Sequence, residues 1–179
     1  GKMGITVSPI NTDVVYAVIE LDQKKGGFYR STNKGASWSK MSDQMSGGTG
    51  PHYYQEIFAD PHTYGRIYMV NAQSYYSDDD GKTWANVNTT NRHVDDHAFA
   101  FHPTDKDFIL IGSDGGVYES RDDMTSWRFM QGISVAQFYK VAMDDALPFY
   151  NVFGGTQDNS TQGGPSRTMR ANGIKNSDW

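Results

Sequence analysis

The chain contains no cysteine. That removes disulfide staples, thiolate nucleophiles and cysteine-ligated zinc together. Any chemistry must come from carboxylates, histidine, tyrosine or the hydroxyls of serine and threonine. Also missing is an apolar run approaching the ~20 residues of a membrane span. Lysine and arginine never cluster beyond the Lys24-Lys25 pair, and the formal charge is −5. The sequence therefore lacks the basic footprint of a nucleic-acid or anionic-membrane binder. No apolar helical period recurs along the chain. Nor does a targeting segment stand out, since Gly1-Lys2-Met3-Gly4 leads straight into strand-like sequence. A mature or excised segment starts the same way, so the compartment stays open.

What the 179 residues do contain is 13% aromatics and 19 glycines, a mix that suits short strands joined by tight turns. One pattern recurs three times: Ser31-Thr32-Asn33-Lys34-Gly35-Ala36-Ser37-Trp38, Ser77-Asp78-Asp79-Asp80-Gly81-Lys82-Thr83-Trp84 and Ser120-Arg121-Asp122-Asp123-Met124-Thr125-Ser126-Trp127. The tryptophans stand 46 and then 43 residues apart, the ~40–50-residue period of one four-stranded propeller blade. Strand-like runs repeat in the same order around each copy, and Pro9, Pro61 and Pro103 fall just past the first strand of each unit, where a missing N–H is harmless. The reading is an all-β chain of propeller blades, each of four antiparallel strands. It is one domain over 1–179, with blades near 1–45, 46–90 and 91–133 and a partial fourth over 134–179. The fourth begins with Phe138–Met143 and Tyr150–Phe153, then passes into a polar, glycine-rich tail. Propellers close with at least about four blades. The chain is accordingly expected to be a segment of a larger propeller or one completed by self-association.

Each copy of the pattern lies between two strands and reads as their hairpin turn. An Asp or Asn there accepts hydrogen bonds from turn N–H groups, the glycine permits a positive φ, and the tryptophan folds over the hairpin. Ser31, Asn33, Gly35 and Trp38, then Ser77, Asp79, Gly81 and Trp84, then Ser120, Asp122 and Trp127 are thus structural staples. The acidic run Asp78-Asp79-Asp80 lacks the glycine and glutamate of an EF-hand loop, so neither metal nor cofactor is expected. Met124 stands where the third turn should have glycine, which predicts a looser or differently shaped turn.

The pattern resembles the Asp-box, or BNR, repeat of sialidases, sortilin-like receptors, xyloglucanase-type glycoside hydrolases and photosystem assembly factors. Val94-Asp95-Asp96-His97, Gly112-Ser113-Asp114-Gly115-Gly116-Val117-Tyr118, and Gly154-Gly155-Thr156-Gln157-Asp158-Asn159 with Gly164-Pro165-Ser166 are similar to large bacterial Asp-box proteins labelled sortilin-like or glycosyl hydrolase. That resemblance implies a propeller, an extracellular or periplasmic setting, and either ligand binding or glycoside hydrolysis. The sialidase branch would need an arginine trio for a sugar carboxylate, and the arginines here mostly flank turns or end strands.

In propellers the first strand of each blade lines the central channel, and the loops entering it form the usual ligand face. Tyr53 and Tyr54, the run His93, Asp95, Asp96 and His97, and Tyr139 occupy such positions, and Gln157 follows a second strand. His93–His97 is the densest set of ionisable groups. In a strand Asp95 and His97 share one face and Asp96 takes the other. The set therefore reads as wiring between blades, as part of a ligand site, or as an acid–base pair or divalent-metal ligands. Two functional classes follow. One is a binding module or scaffold that recognises carbohydrate or peptide through Tyr53, Tyr54, His93, Asp95, His97, Gln157 and Tyr139. The other is a glycoside hydrolase with Asp96, Asp114 and Asp158 as candidate carboxylates, whose separation would set stereochemistry.

Overall fold

A computed structural model describes residues 1–21, 26–45, 56–133, 138–157 and 160–178. It resolves two compact units, Gly1–Gln131 and Gly132–Trp179. The first holds three sheets, each a meander of four antiparallel strands. Sheet one comprises β1 (Met3–Val7), β2 (Val15–Ile19), β3 (Gly27–Ser31) and β4 (Ser39–Ser42). Sheet two comprises β5 (Ile57–Ala59), β6 (Ile67–Met69), β7 (Tyr75–Ser77) and β8 (Ala85–Asn86). Sheet three comprises β9 (Asp96–Phe101), β10 (Ile109–Ser113), β11 (Gly116–Ser120) and β12 (Arg128–Phe129). The second unit holds β13 (Phe138–Met143), β14 (Asn151–Thr156) and β15 (Thr161–Pro165), paired in that order. The chain is all-β and its sheets are propeller blades.

The repeat extends to register. Val7 faces Val15, Ala59 faces Ile67, Phe101 faces Ile109 and Met143 faces Val152. The residues before Pro9, Pro61 and Pro103 cap the turns that follow. Ser8 Oγ accepts the Asn11 N–H, and Asp60 Oδ1 accepts those of His62 and Thr63, both at 2.7 Å. His102 Nδ1 does the same for Thr104 and Asp105. A side-chain acceptor here satisfies donors that the sheet cannot reach.

The core lies between blades. Val14, Tyr16, Val18 and Phe28 of the first blade are buried with Ile57, Ala59, Ile67 and Met69 of the second. Tyr68, Val70 and Val87 of the second are buried with Phe99, Ile109, Ile111, Tyr118, Met124 and Trp127 of the third. Each fully buried side chain of this size contributes roughly 1.5–3 kcal/mol. A polar clasp runs along the rim of each seam. Asp80 accepts the Tyr16 hydroxyl at 2.6 Å and the Arg30 guanidinium at 2.5 Å. One blade on, Asp123 accepts Arg66 at 2.6 Å. Burial, and then the Asp80 carboxylate, push the Tyr16 phenol far above its ordinary pKa, so it remains a donor.

The three box turns share one hydrogen-bond scheme. The serine hydroxyl accepts the N–H of Gly35, Gly81 and Met124, at 2.9 Å in every copy. Asn33, Asp79 and Asp122 accept the N–H of Ser37, Thr83 and Ser126. The expected loosening at Met124 does not occur: its φ of 65° matches the left-handed glycines, 87° at Gly35 and 84° at Gly81. Packing explains the substitution. A Cβ on Gly81 would run into the Phe28 ring of the preceding blade. The position equivalent to Phe28, three residues before the box serine, is Ser74 in the second blade. Bulk is therefore exchanged across the seam, with Phe28 over Gly81 at the first and Met124 filling the second core beyond Ser74. The tryptophans diverge as well. Trp38 and Trp84 donate Nε1–H to Gly35 and Gly81 carbonyls at 3.0 Å. Trp127 is only 8% exposed, its Nε1 has no partner, and its ring lies under Arg92.

β15 departs from the expected polar tail. Glycines disguise it. A Cβ on Gly163 would meet the Phe153 ring of the paired strand, 2.5 Å from Cδ1. Pro165 is tolerated as the last residue of an outermost strand.

Candidate functional site

The entry to β9 and the β10–β11 hairpin bring several of the named polar residues together. Tyr118 Oη accepts the His93 N–H at 3.1 Å. His93 in turn holds the Val94 carbonyl through Nδ1 at 2.6 Å. Gly115 makes this approach possible, because a Cβ there would collide with His93 Cβ. Asp95 sits in a left-handed conformation, φ 61°. Its N–H donates to the Ala72 carbonyl of the second blade at 2.7 Å, and its own carbonyl accepts the Asp114 N–H at 3.1 Å. That backbone link carries Asp114 to His97, whose Nε2 lies 2.6 Å from Asp114 Oδ1. The His97 imidazole remains 44% exposed. His93, Asp95, His97 and Asp114 thus gather at one end of the third blade, against the second. The box turns cap the opposite strand ends.

Asp96 belongs to a different arrangement. Strand alternation turns it inward, where it and Arg92 are fully buried as side chains. Arg92 donates to both Asp96 oxygens, at 2.5 and 3.0 Å, and to the carbonyls of Asn88 and His93, each at 2.9 Å. The guanidinium also stands 5.3 Å from the Trp127 ring centroid. Asp96 is therefore a counter-ion within the wall, while its sequence neighbours reach the surface. Sequence reading missed Arg92, Tyr118 and Gly115. The Arg92–Asp96 spacing and the Gly115-Gly116 pair were the available signals.

Tyr139 is exposed on β13 and Gln157 follows β14, both within the second unit. Tyr53, Tyr54 and Asp158 lie outside the described residues. Among the described residues no three His, Asp or Glu side chains could hold a metal, and no helix is long and apolar enough to cross a membrane.

Residues 26–170 match the model of the Sortilin-Vps10 family, described as sortilin, neurotensin receptor 3. No curated protein matches. Among solved structures, an ancestral GH74 enzyme superposes on 95% of this chain with TM-score 0.53 at 14% identity. A GH74 xyloglucanase from Xanthomonas campestris superposes on 90% with TM-score 0.51 at 18% identity. At such identities the likeness is one of fold. The chain spans 25% and 28% of the length of those two enzymes. The match over most of its length, with the repeated box turns and the blade register, places this chain in the Sortilin-Vps10 family.

Proposed function

We propose that this chain is a non-catalytic binding module, which recognises a carbohydrate or peptide at the blade end formed by His93, Asp95, His97 and Asp114. The observation behind this reading is the exposed His97–Asp114 pair, mounted on a hairpin that Tyr118 and Gly115 lock against the His93 loop. Rigid support of this kind limits the ordering cost of binding. Imidazole and carboxylate together supply donors and acceptors for sugar hydroxyls or peptide amides. Tyr53 and Tyr54, and separately Tyr139 and Gln157 of the second unit, are further residues proposed as ligand contacts, each tested by its own alanine variant.

A glycoside hydrolase is the second reading, favoured by the fold likeness to GH74 enzymes. It requires two facing carboxyls, about 5–5.5 Å apart for retention or about 6.5–9.5 Å for inversion. Asp96 is committed to Arg92, and Asp114 is held by His97, which favours binding over turnover. The deciding experiment screens the chain for binding and hydrolysis against polysaccharides, xyloglucan included, and a peptide library. His97→Ala and Asp114→Ala are expected to weaken binding without any turnover to lose. Hydrolysis abolished by Asp114→Ala would replace the binding reading with the enzymatic one.

A further inference from the structure

One cross-strand row of the third blade ends in an aromatic residue where the repeat has polar ones. Phe99, Ile111, Tyr118 and Phe129 are partners in succession across β9, β10, β11 and β12. The first three are buried against the second blade, while Phe129 is 47% exposed. In the first two blades the fourth-strand position is Lys40 and Asn86, each paired with a tyrosine. Phe129 shares the face that the second blade covers, so its exposure belongs to the outer edge of a packed seam. Tyr118 supports the ring from one side, with centroids 5.3 Å apart. Gly116, φ 117°, makes room for it, because a Cβ there would stand 2.8 Å from Phe129 Cε2.

The same hairpin tip carries the polar site, and three consecutive residues each support one ring. Asp114 Oδ1 holds His97 Nε2 at 2.6 Å. Gly115 leaves space for His93, whose Cβ would lie 2.3 Å from an added Cβ. Gly116 seats Phe129. Asp114 and Gly116 are two residues apart, at most about 7 Å along the chain, so polar and apolar contacts adjoin. His93 donates from Nδ1 to the Val94 carbonyl, which leaves Nε2 as the acceptor of the neutral ring. Arg92 and Arg128, next in sequence to His93 and Phe129, are committed to Asp96 and Glu119. β12 is only two residues long, so an extended peptide would find almost no ladder to join there.

We propose that the binding site named above continues along this tip to Phe129, and that its ligand is a neutral glycan of two or more sugar units. A pyranose carries hydroxyls around its rim and C–H groups on its faces. One sugar unit lays its C–H face on the Phe129 ring, where apolar area leaves water and the C–H dipoles meet the electron-rich ring face. The next unit places its hydroxyls at His93 and at the His97–Asp114 pair. Charge argues for a neutral sugar. With Arg92 and Arg128 committed, a sugar carboxylate would find no guanidinium among the described residues of this tip. This extension rests on the binding reading above, to which it adds Phe129 and the ligand class.

Two arrays probed with the intact chain test it, one of neutral glycans (β-glucans, mannans, xylans and galactans) and one of peptides. Binding to a neutral glycan is expected, with its monosaccharide weaker by about 10-fold or more. In calorimetric titrations of that glycan, Phe129→Ala and Phe129→Leu should each weaken binding by about 10-fold or more, and Phe129→Tyr should stay within about 3-fold of wild type. Leucine keeps apolar bulk on the strand without a flat ring, so a merely structural role for Phe129 would leave Phe129→Leu near wild type. Melting curves should show all three variants folded at the titration temperature, because the position is half exposed on an outermost strand. A chain that binds peptides but no neutral glycan overturns the extension and leaves the binding reading standing. So does a glycan whose affinity falls with His97→Ala and Asp114→Ala but not with Phe129→Ala or Phe129→Leu. Binding to neither array, or glycan binding indifferent to His97 and Asp114, removes both.

Discussion

Replacing Arg92 with alanine probes the buried pair that separates wall from site. In the native chain Asp96 receives two guanidinium bonds, at 2.5 and 3.0 Å, and neither side chain reaches solvent. Removing the cation leaves the carboxylate buried and uncompensated, a change that costs about 3–5 kcal/mol. The carbonyls of Asn88 and His93 also lose donors. Against a total stability of about 5–15 kcal/mol, the variant should retain its fold with a much smaller margin. At about 2–4 °C per kcal/mol for a chain of this size, the melting point should fall by on the order of 10 °C. Urea titration followed by tryptophan fluorescence reads the same loss, with Trp127 under Arg92 as the local reporter. The double change Arg92→Met with Asp96→Leu removes both charges at similar volume and should lie within about 1 kcal/mol of wild type, or above it. An Arg92→Ala variant within about 1 kcal/mol of wild type would refute the reasoning, as would a double variant as unstable as the single one.

Three further outcomes follow from the box turns. Met124→Gly restores the repeat consensus yet should destabilise. Relief of a left-handed non-glycine residue returns about 1–3 kcal/mol. Emptying a buried methionine site costs about 2–5 kcal/mol, and the freedom of glycine in the unfolded chain adds roughly 0.5–1 kcal/mol, so the urea midpoint should drop. Trp127→Phe should cost about 1 kcal/mol less than Trp84→Phe in the same titration, because only Trp84 has Nε1 bonds to lose, to the Gly81 carbonyl and Ser42 Oγ. Burial alone would raise the Asp79 pKa, but the bonds it accepts from Thr83, Ser77 and Lys82 outweigh that and hold it below the usual carboxylate range. A depressed folded-state value means the stabilisation is present above the unfolded value near ~3.9 and fades as pH falls through the folded one. Asp79→Asn should therefore cost about 1 kcal/mol at neutral pH and flatten this part of the acid limb; a limb as steep as wild type would contradict the assignment.

Much of this architecture can be read along the chain. Box spacing, prolines after first strands and alternating apolar residues are local signals, each arising from one turn or strand. They locate the strands of the first three blades and the staples that join them. What they miss depends on partners distant in sequence. Met124 looks like a defect in the third turn until it is seen filling the seam beyond Ser74. Gly163 looks like linker until Phe153 claims the space above it. Asp95, Asp96 and His97 form one run of similar polarity, and alternation predicts only that Asp96 parts from the others. The tertiary structure assigns the inward carboxylate to Arg92 and Trp127, and His97 to Asp114 across the sheet. Local sequence thus determined the repeat, the turns and the all-β class, because backbone geometry and capping act over a few residues. Tertiary packing alone decided which polar groups are wall and which are surface, because burial and charge pairing depend on the neighbouring strands and blades.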